Sequence, residues 1–128
     1  FIMQARRHRK VLGGGMRQAG VLAAAGIVAL ETMTDRLVED HANARQLAQG
    51  LAALPGVRID TAIVRTNIVY VDFESSAPPV TEMLSRLAKQ GVRVLATGPR
   101  QIRAVTHFGI TAEDIEQALA AFRRCLPR

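Results

Sequence analysis

A chain of 128 residues that is 48% hydrophobic and 22% charged holds enough apolar material for one folded core and is not a disordered segment. Its single cysteine, Cys125, excludes an internal disulfide framework, and its longest uncharged stretch, Gln18 to Leu30, is too short to span a bilayer. The net charge of +6 is one-sided: residues 1–20 carry Arg6, Arg7, Arg9, Lys10 and Arg17 and no acid, while the other 108 residues hold 12 basic and 11 acidic side chains.

The basic start is not followed directly by an apolar run and cleavage site, so no secretory signal is visible and a cytoplasmic location is expected. The chain opens on Phe1 rather than an initiator methionine, and its apolar beginning reads as the inside of an element. A piece of a longer protein is therefore expected.

In chain order, 3–12 reads as a short helix ended by Gly13-Gly14-Gly15. A second helix is expected over 16–29. It is rich in Ala and Leu and nearly uncharged after Arg17, so burial on most sides is expected. Thr34 is the candidate N-cap of a third helix over 35–54, with Leu37, Ala44, Leu47, Ala48 and Leu51 on one stripe and Glu39, Asp40, Arg45 and Gln46 elsewhere. Pro55-Gly56 stops it. The pattern then turns β-branched and aromatic: 57–59 and 68–73 read as strands. Thr81 to Gln90 is an amphipathic helix, 92–95 and 102–106 are two further short strands, and Thr111 caps a last helix over 112–125 in a T-x-x-D arrangement. Segregated strands and helices with short connections imply a two-layer α+β domain whose small sheet is mixed or antiparallel.

Two segments could carry chemistry. In RRHRKVLGGGMRQ, three glycines let a ligand approach the main chain, free N–H groups at the next helix start would face an anion, and Lys10 and Arg17 would add charge. A flexible turn beside a solvated basic face is the plain alternative, and neither the phosphate-loop nor the dinucleotide spacing is met. In QIRAVTHFG, Arg103 sits in an alternating strand. Its planar fork suits a carboxylate if that face lines a cleft; otherwise it is a surface arginine. His107 just after it reads as structural or solvent-facing. His8, His41 and Cys125 show no metal-ligand spacing, so no metal is expected. With few aromatics beside the basic segment, a nucleic-acid partner is not expected, nor is a membrane.

RRHRKVLGGGMRQAGVLAAAGIVAL, with RLVEDHANARQLAQGL, RTNIVYVDF and IRAVTHFGITAEDIEQAL following in order, resembles the pyridoxal-phosphate-dependent threonine aldolases over nearly the whole chain. The resemblance implies the C-terminal portion of a fold-type-I enzyme similar in architecture to aspartate aminotransferase. Residues 1–30 would end the large cofactor-binding domain and 31–128 would form the small C-terminal domain. It implies pyridoxal 5'-phosphate as cofactor and cleavage of L-threonine or L-allo-threonine to glycine and an aldehyde, in a homo-oligomer, dimer or tetramer. Arg103 resembles the arginine that holds the substrate α-carboxylate. Lys10 and Arg17 resemble basic residues near the cofactor phosphate. The family's Schiff-base lysine lies in an S-K-G-L-G-type motif that does not occur here, where Lys10 and Lys89 are the only lysines, so no catalytic residue is assigned within these residues. The alternatives are another fold-type-I lyase with a different substrate and a non-catalytic basic interaction module.

Overall fold

The computed structural model describes residues 1–126; of the domain expected over 31–128, Pro127 and Arg128 lie outside the described residues. The chain divides into two compact units, Phe1–Asp35 and Arg36–Arg128.

The first unit holds α1 (Ile2–Val11) and α2 (Gly20–Thr32), with no buried residue in either. α2 begins four residues later than expected, because residues 17–19 form a turn and Gln18 takes φ +54°, outside the helical region. Val21, Leu22, Ile27, Val28 and Leu30 are all more than half exposed, so the burial expected of this apolar helix is not supplied by the described residues. None of the helices among the described residues is long and apolar enough to cross a membrane.

The second unit is the two-layer α+β domain. α3 (Leu37–Ala52), α4 (Val80–Ala88) and α5 (Ala112–Cys125) accompany a four-stranded sheet of order β1-β2-β4-β3, from β1 (Val57–Arg58), β2 (Ile68–Phe73), β3 (Leu95–Gly98) and β4 (Gln101–Val105). Every pairing is antiparallel. β3 starts three residues beyond the position expected from Val92, since 92–94 runs into the sheet without pairing. Period-two alternation sorts the sheet. Val69, Val71, Phe73, Ile102 and Ala104 are buried, whereas Ile68, Tyr70 and Val105 lie on the opposite, open face.

The helices bury Ala44, Leu47, Ala48, Leu51, Met83, Leu87, Ile115, Leu119 and Phe122 in one cluster with the inner sheet face. α3 and α5 approach closely because Gly50 has no side chain: a Cβ there would lie 2.5 Å from Leu119 Cδ1. At the start of α5, Thr111 Oγ1 accepts the Asp114 N–H at 3.2 Å and Asp114 Oδ2 accepts the Thr111 N–H at 2.8 Å, the reciprocal cap expected from the sequence. Thr34 is not the N-cap: α3 starts two residues later than expected, with Arg36 at the N-cap position.

Candidate functional site

Three arginines of the second unit differ in what satisfies them. Arg100 donates from Nη1 to the carbonyls of Ala77 (2.7 Å) and Glu74 (2.9 Å), tying the β3–β4 turn to the loop after β2. Arg36 forms a two-pronged pair with Asp40, Nη2 to Oδ1 at 2.6 Å and Nη1 to Oδ2 at 2.9 Å, and its guanidinium carbon lies 5.2 Å from the centre of the Phe108 ring. Arg103 is different. It belongs to β4 on the open face, with Tyr70 opposite it on β2 and Leu95 opposite it on β3. It is only partly exposed, and its Nε is a buried side-chain atom without a hydrogen-bond partner among the described residues. A buried donor left unpaired is costly. A guanidinium with a free Nε edge is what a carboxylate would complete. The α-carboxylate of an amino acid therefore fits the group present.

The polar cluster at the end of β4 gathers residues that sequence periodicity did not bring together. Asp40 was expected away from the apolar stripe of α3; it is instead 3% exposed and on the packed face, while Leu37 is outside. Arg36, one turn earlier, makes that burial tolerable by supplying the counter-charge. Its hydrogen bonds hold the Asp40 carboxyl below the usual carboxylate range, with burial opposing. The Asp40 main-chain oxygen accepts from Thr106 Oγ1 at 2.7 Å. Thr106 N–H donates to Asn67 O at 2.9 Å and Asn67 Nδ2 donates to Thr106 O at 2.8 Å. Asn43 Nδ2 donates to Ile110 O at 2.9 Å. The EDHANA, TNIV and RAVTH strings thus meet in one place; only the i, i+4 spacing of Arg36 and Asp40 could have signalled this in advance.

A depressed carboxyl stabilises the fold fully above the ordinary carboxylate value and loses that contribution as pH falls through it. Acidification from about pH 5 to pH 3 is therefore expected to lower the unfolding midpoint, with Asp40 and the capping Asp114 both contributing, since both are depressed. Asp40→Asn is expected to flatten that acid limb in a midpoint-against-pH series. An unaltered limb would remove Asp40 from it.

His107 is exposed, with Nδ1 2.8 Å from the Phe108 carbonyl, and His8 is exposed as well; His41 is half-buried. Cys125 is buried, and burial pushes its thiol up, so it stays protonated as a small core group. No group of three metal-ligating side chains is found among the described residues.

In the first unit, the glycine loop closes α1 rather than presenting its main chain. Gly13 takes φ +83°, Gly14 N–H donates to Arg9 O at 2.8 Å and Gly13 N–H to Lys10 O at 3.1 Å, the paired bonds of a Schellman end. Gly15 N–H donates to Gly13 O. These three N–H groups are therefore committed within the loop that ends α1, and any main-chain donors for an anion would have to come from the start of α2 beyond it. The space left by the glycines admits side chains: a Cβ at Gly15 would lie 3.2 Å from Lys10 Nζ. Lys10 and Arg9 line the hollow over these glycines; Arg17 is exposed and outside its lining. Any anion held here would be met by side-chain charge.

The chain is 39% identical over 127 residues to low-specificity L-threonine aldolase 1 of Arabidopsis thaliana, covering 98% of this chain and 36% of that protein. It is 38% identical over 130 residues to the low specificity L-threonine aldolase of Escherichia coli K12, covering 100% of this chain and 36% of that protein. It thus spans about a third of the length of these curated relatives. Among solved structures, a cystine C–S lyase in complex with cysteine persulfide matches with TM-score 0.66 at 22% identity, over 85% of this chain and 29% of that one. A cysteine desulfurase of Escherichia coli matches with TM-score 0.65 at 20% identity, over 87% and 31%. These neighbours share the fold, that of fold-type-I pyridoxal-phosphate enzymes. The family model for beta-eliminating lyases matches residues 1–74, more than half the chain, taking in the glycine loop of the first unit and α3 to β2 of the second, and the chain belongs to that family.

Proposed function

We propose that the protein carrying this chain is a pyridoxal-phosphate-dependent aldehyde-lyase that cleaves L-threonine or L-allo-threonine to glycine and an aldehyde. The observation that carries the reading is Arg103, part-buried on the open sheet face with its Nε unpartnered among the described residues. The match of 97–100% of the chain to three proteins named low-specificity L-threonine aldolase supports the reaction class.

Arg103 receives the substrate carboxylate through its planar fork and so fixes the direction of the Cα–Cβ bond that breaks. Lys10 and Arg17 would supply positive charge to the cofactor phosphate; Lys10 lines the hollow over the glycines. Pyridoxal phosphate, when bound, supplies an electron sink for the carbanion left at Cα. The chain's residues supply binding and orientation, and the Schiff-base lysine belongs to another part of the protein. Subunit association in the cytoplasm, as a dimer or tetramer, belongs to the same reading. The exposed Val21, Leu22, Ile27, Val28 and Leu30 of α2 support a covered face there.

A second reading is favoured by the family description and by the cystine C–S lyase neighbour: β-elimination from a sulfur amino acid. Product analysis separates the two. The holoenzyme is expected to absorb in the visible, to lose that band with hydroxylamine, and to release glycine and acetaldehyde from L-threonine. Pyruvate and ammonia from a cysteine substrate, without glycine from threonine, would establish elimination instead. A colourless protein would overturn both.

A further inference from the structure

We propose that Thr106 is a positioning residue for Arg103: its buried hydroxyl fixes the β2–β4 register that keeps the guanidinium on the open face of the sheet. The inference rests on Arg103 being the carboxylate-binding group.

The ladder runs from Ile68↔Val105 through Tyr70↔Arg103 to Asp72↔Gln101. Strand side chains alternate, so a slip of one residue would carry Arg103 under the helices and Ile102 or Ala104 into the open. No hairpin sets this register, because α4 and β3 intervene between β2 and β4. Long-range contacts must set it. One end of the ladder is held by Gln101 Nε2 donating to Asp72 Oδ1 at 3.0 Å and by Phe73 N–H donating to Arg100 O at 2.9 Å.

The other end is held by Thr106. Its N–H and O extend the ladder to Asn67, whose side-chain amide stands in for a main-chain donor. Its side chain is 2% exposed and shares the parity of Ile102 and Ala104, facing the helices. There Oγ1 donates to the Asp40 main-chain oxygen at 2.7 Å. The pair with Arg36 anchors Asp40 in the first turns of α3. The hydroxyl thus links the strand pair to a fixed point in the helix layer. In a slipped register it would leave Asp40, and Arg103 would be desolvated beneath the helices. Both consequences oppose the slip, and the first depends on a donor at position 106 that valine, of nearly the same shape, lacks.

The test is steady-state kinetics of the holoenzyme with L-threonine. Thr106→Val is expected to raise KM about fivefold, the scale of one net hydrogen bond, with kcat changed less than about twofold and the visible band unaltered. Thr106→Ser, which restores the donor, is expected to return KM to within about twofold of the parent. A serine variant with the valine variant's KM would trace the effect to the methyl group and overturn the proposal. A lowered unfolding midpoint with unchanged KM in Thr106→Val would also overturn it, leaving a merely structural hydroxyl. If Thr106→Val yields no folded holoenzyme, Thr106→Ala, which also removes the hydroxyl that donates to Asp40, takes its place, and an unchanged KM there overturns the proposal. Arg103→Lys is measured in parallel. KM raised in Arg103→Lys but not in Thr106→Val sinks the positioning role alone, whereas KM unchanged in Arg103→Lys sinks the carboxylate reading itself.

Discussion

Arg103→Ala is expected to raise the KM for L-threonine roughly 30- to 1000-fold, the equivalent of about 2–4 kcal/mol for truncating one partner of a desolvated charge pair. The magnitude follows from where the side chain stands. Arg100 and Arg36 spend their donors on carbonyls and on Asp40, whereas Arg103 Nε is buried without a partner. The substrate carboxylate would supply what the chain withholds. Arg103→Lys is expected to recover only part of the loss, since an ammonium keeps the charge but not the two-pronged geometry. Because the carboxylate also aligns the scissile bond, kcat should fall alongside the rise in KM, by a smaller factor. Assay of glycine release against threonine concentration reads both. An unchanged KM would take Arg103 out of the site.

How much of this was legible in the sequence depends on the range of the interaction that decides it. β2 was readable to the residue because Ile68 to Phe73, Asp72 apart, are β-branched or aromatic. The α5 start was readable because Thr111 and Asp114 satisfy each other within one turn. The side of the sheet that Arg103 occupies followed from its flanking Ile102 and Ala104, both buried. Asp40 was misplaced because a periodicity argument assigns a carboxylate to the solvent side; its burial depends on Arg36 and on Thr106, 66 residues away. The Asn67–Thr106 clasp spans 39 residues and leaves no local pattern. The hydrogen bonding of the glycine loop was hidden for a different reason. Three glycines permit both an anion cradle and a helix end, and composition does not say which donors the chain uses internally.

Phe122→Ala is expected to destabilise the second unit by about 3–5 kcal/mol, the range for emptying a buried aromatic site. Phe122 is 1% exposed and lies in the cluster where α5 meets the inner sheet face. The surroundings have little room to collapse into the cavity. Leu119, one turn earlier, is already pressed against Gly50, and the helices around it carry Leu47, Leu51 and Leu87 at 5% exposure or less. For a unit of this size, each kcal/mol lowers the unfolding midpoint by about 4–8 °C, so a fall of at least about 12 °C is expected. Phe108→Ala provides the contrast. That ring is 68% exposed and touches the fold through its contact with Arg36, so its removal should lower the midpoint by no more than about 4–8 °C, corresponding to about 1 kcal/mol. Thermal unfolding of the two variants side by side distinguishes a core built on α5 from one that reaches out to the β4 exit. Equal shifts would mean that the packing around Phe122 is looser than its burial implies.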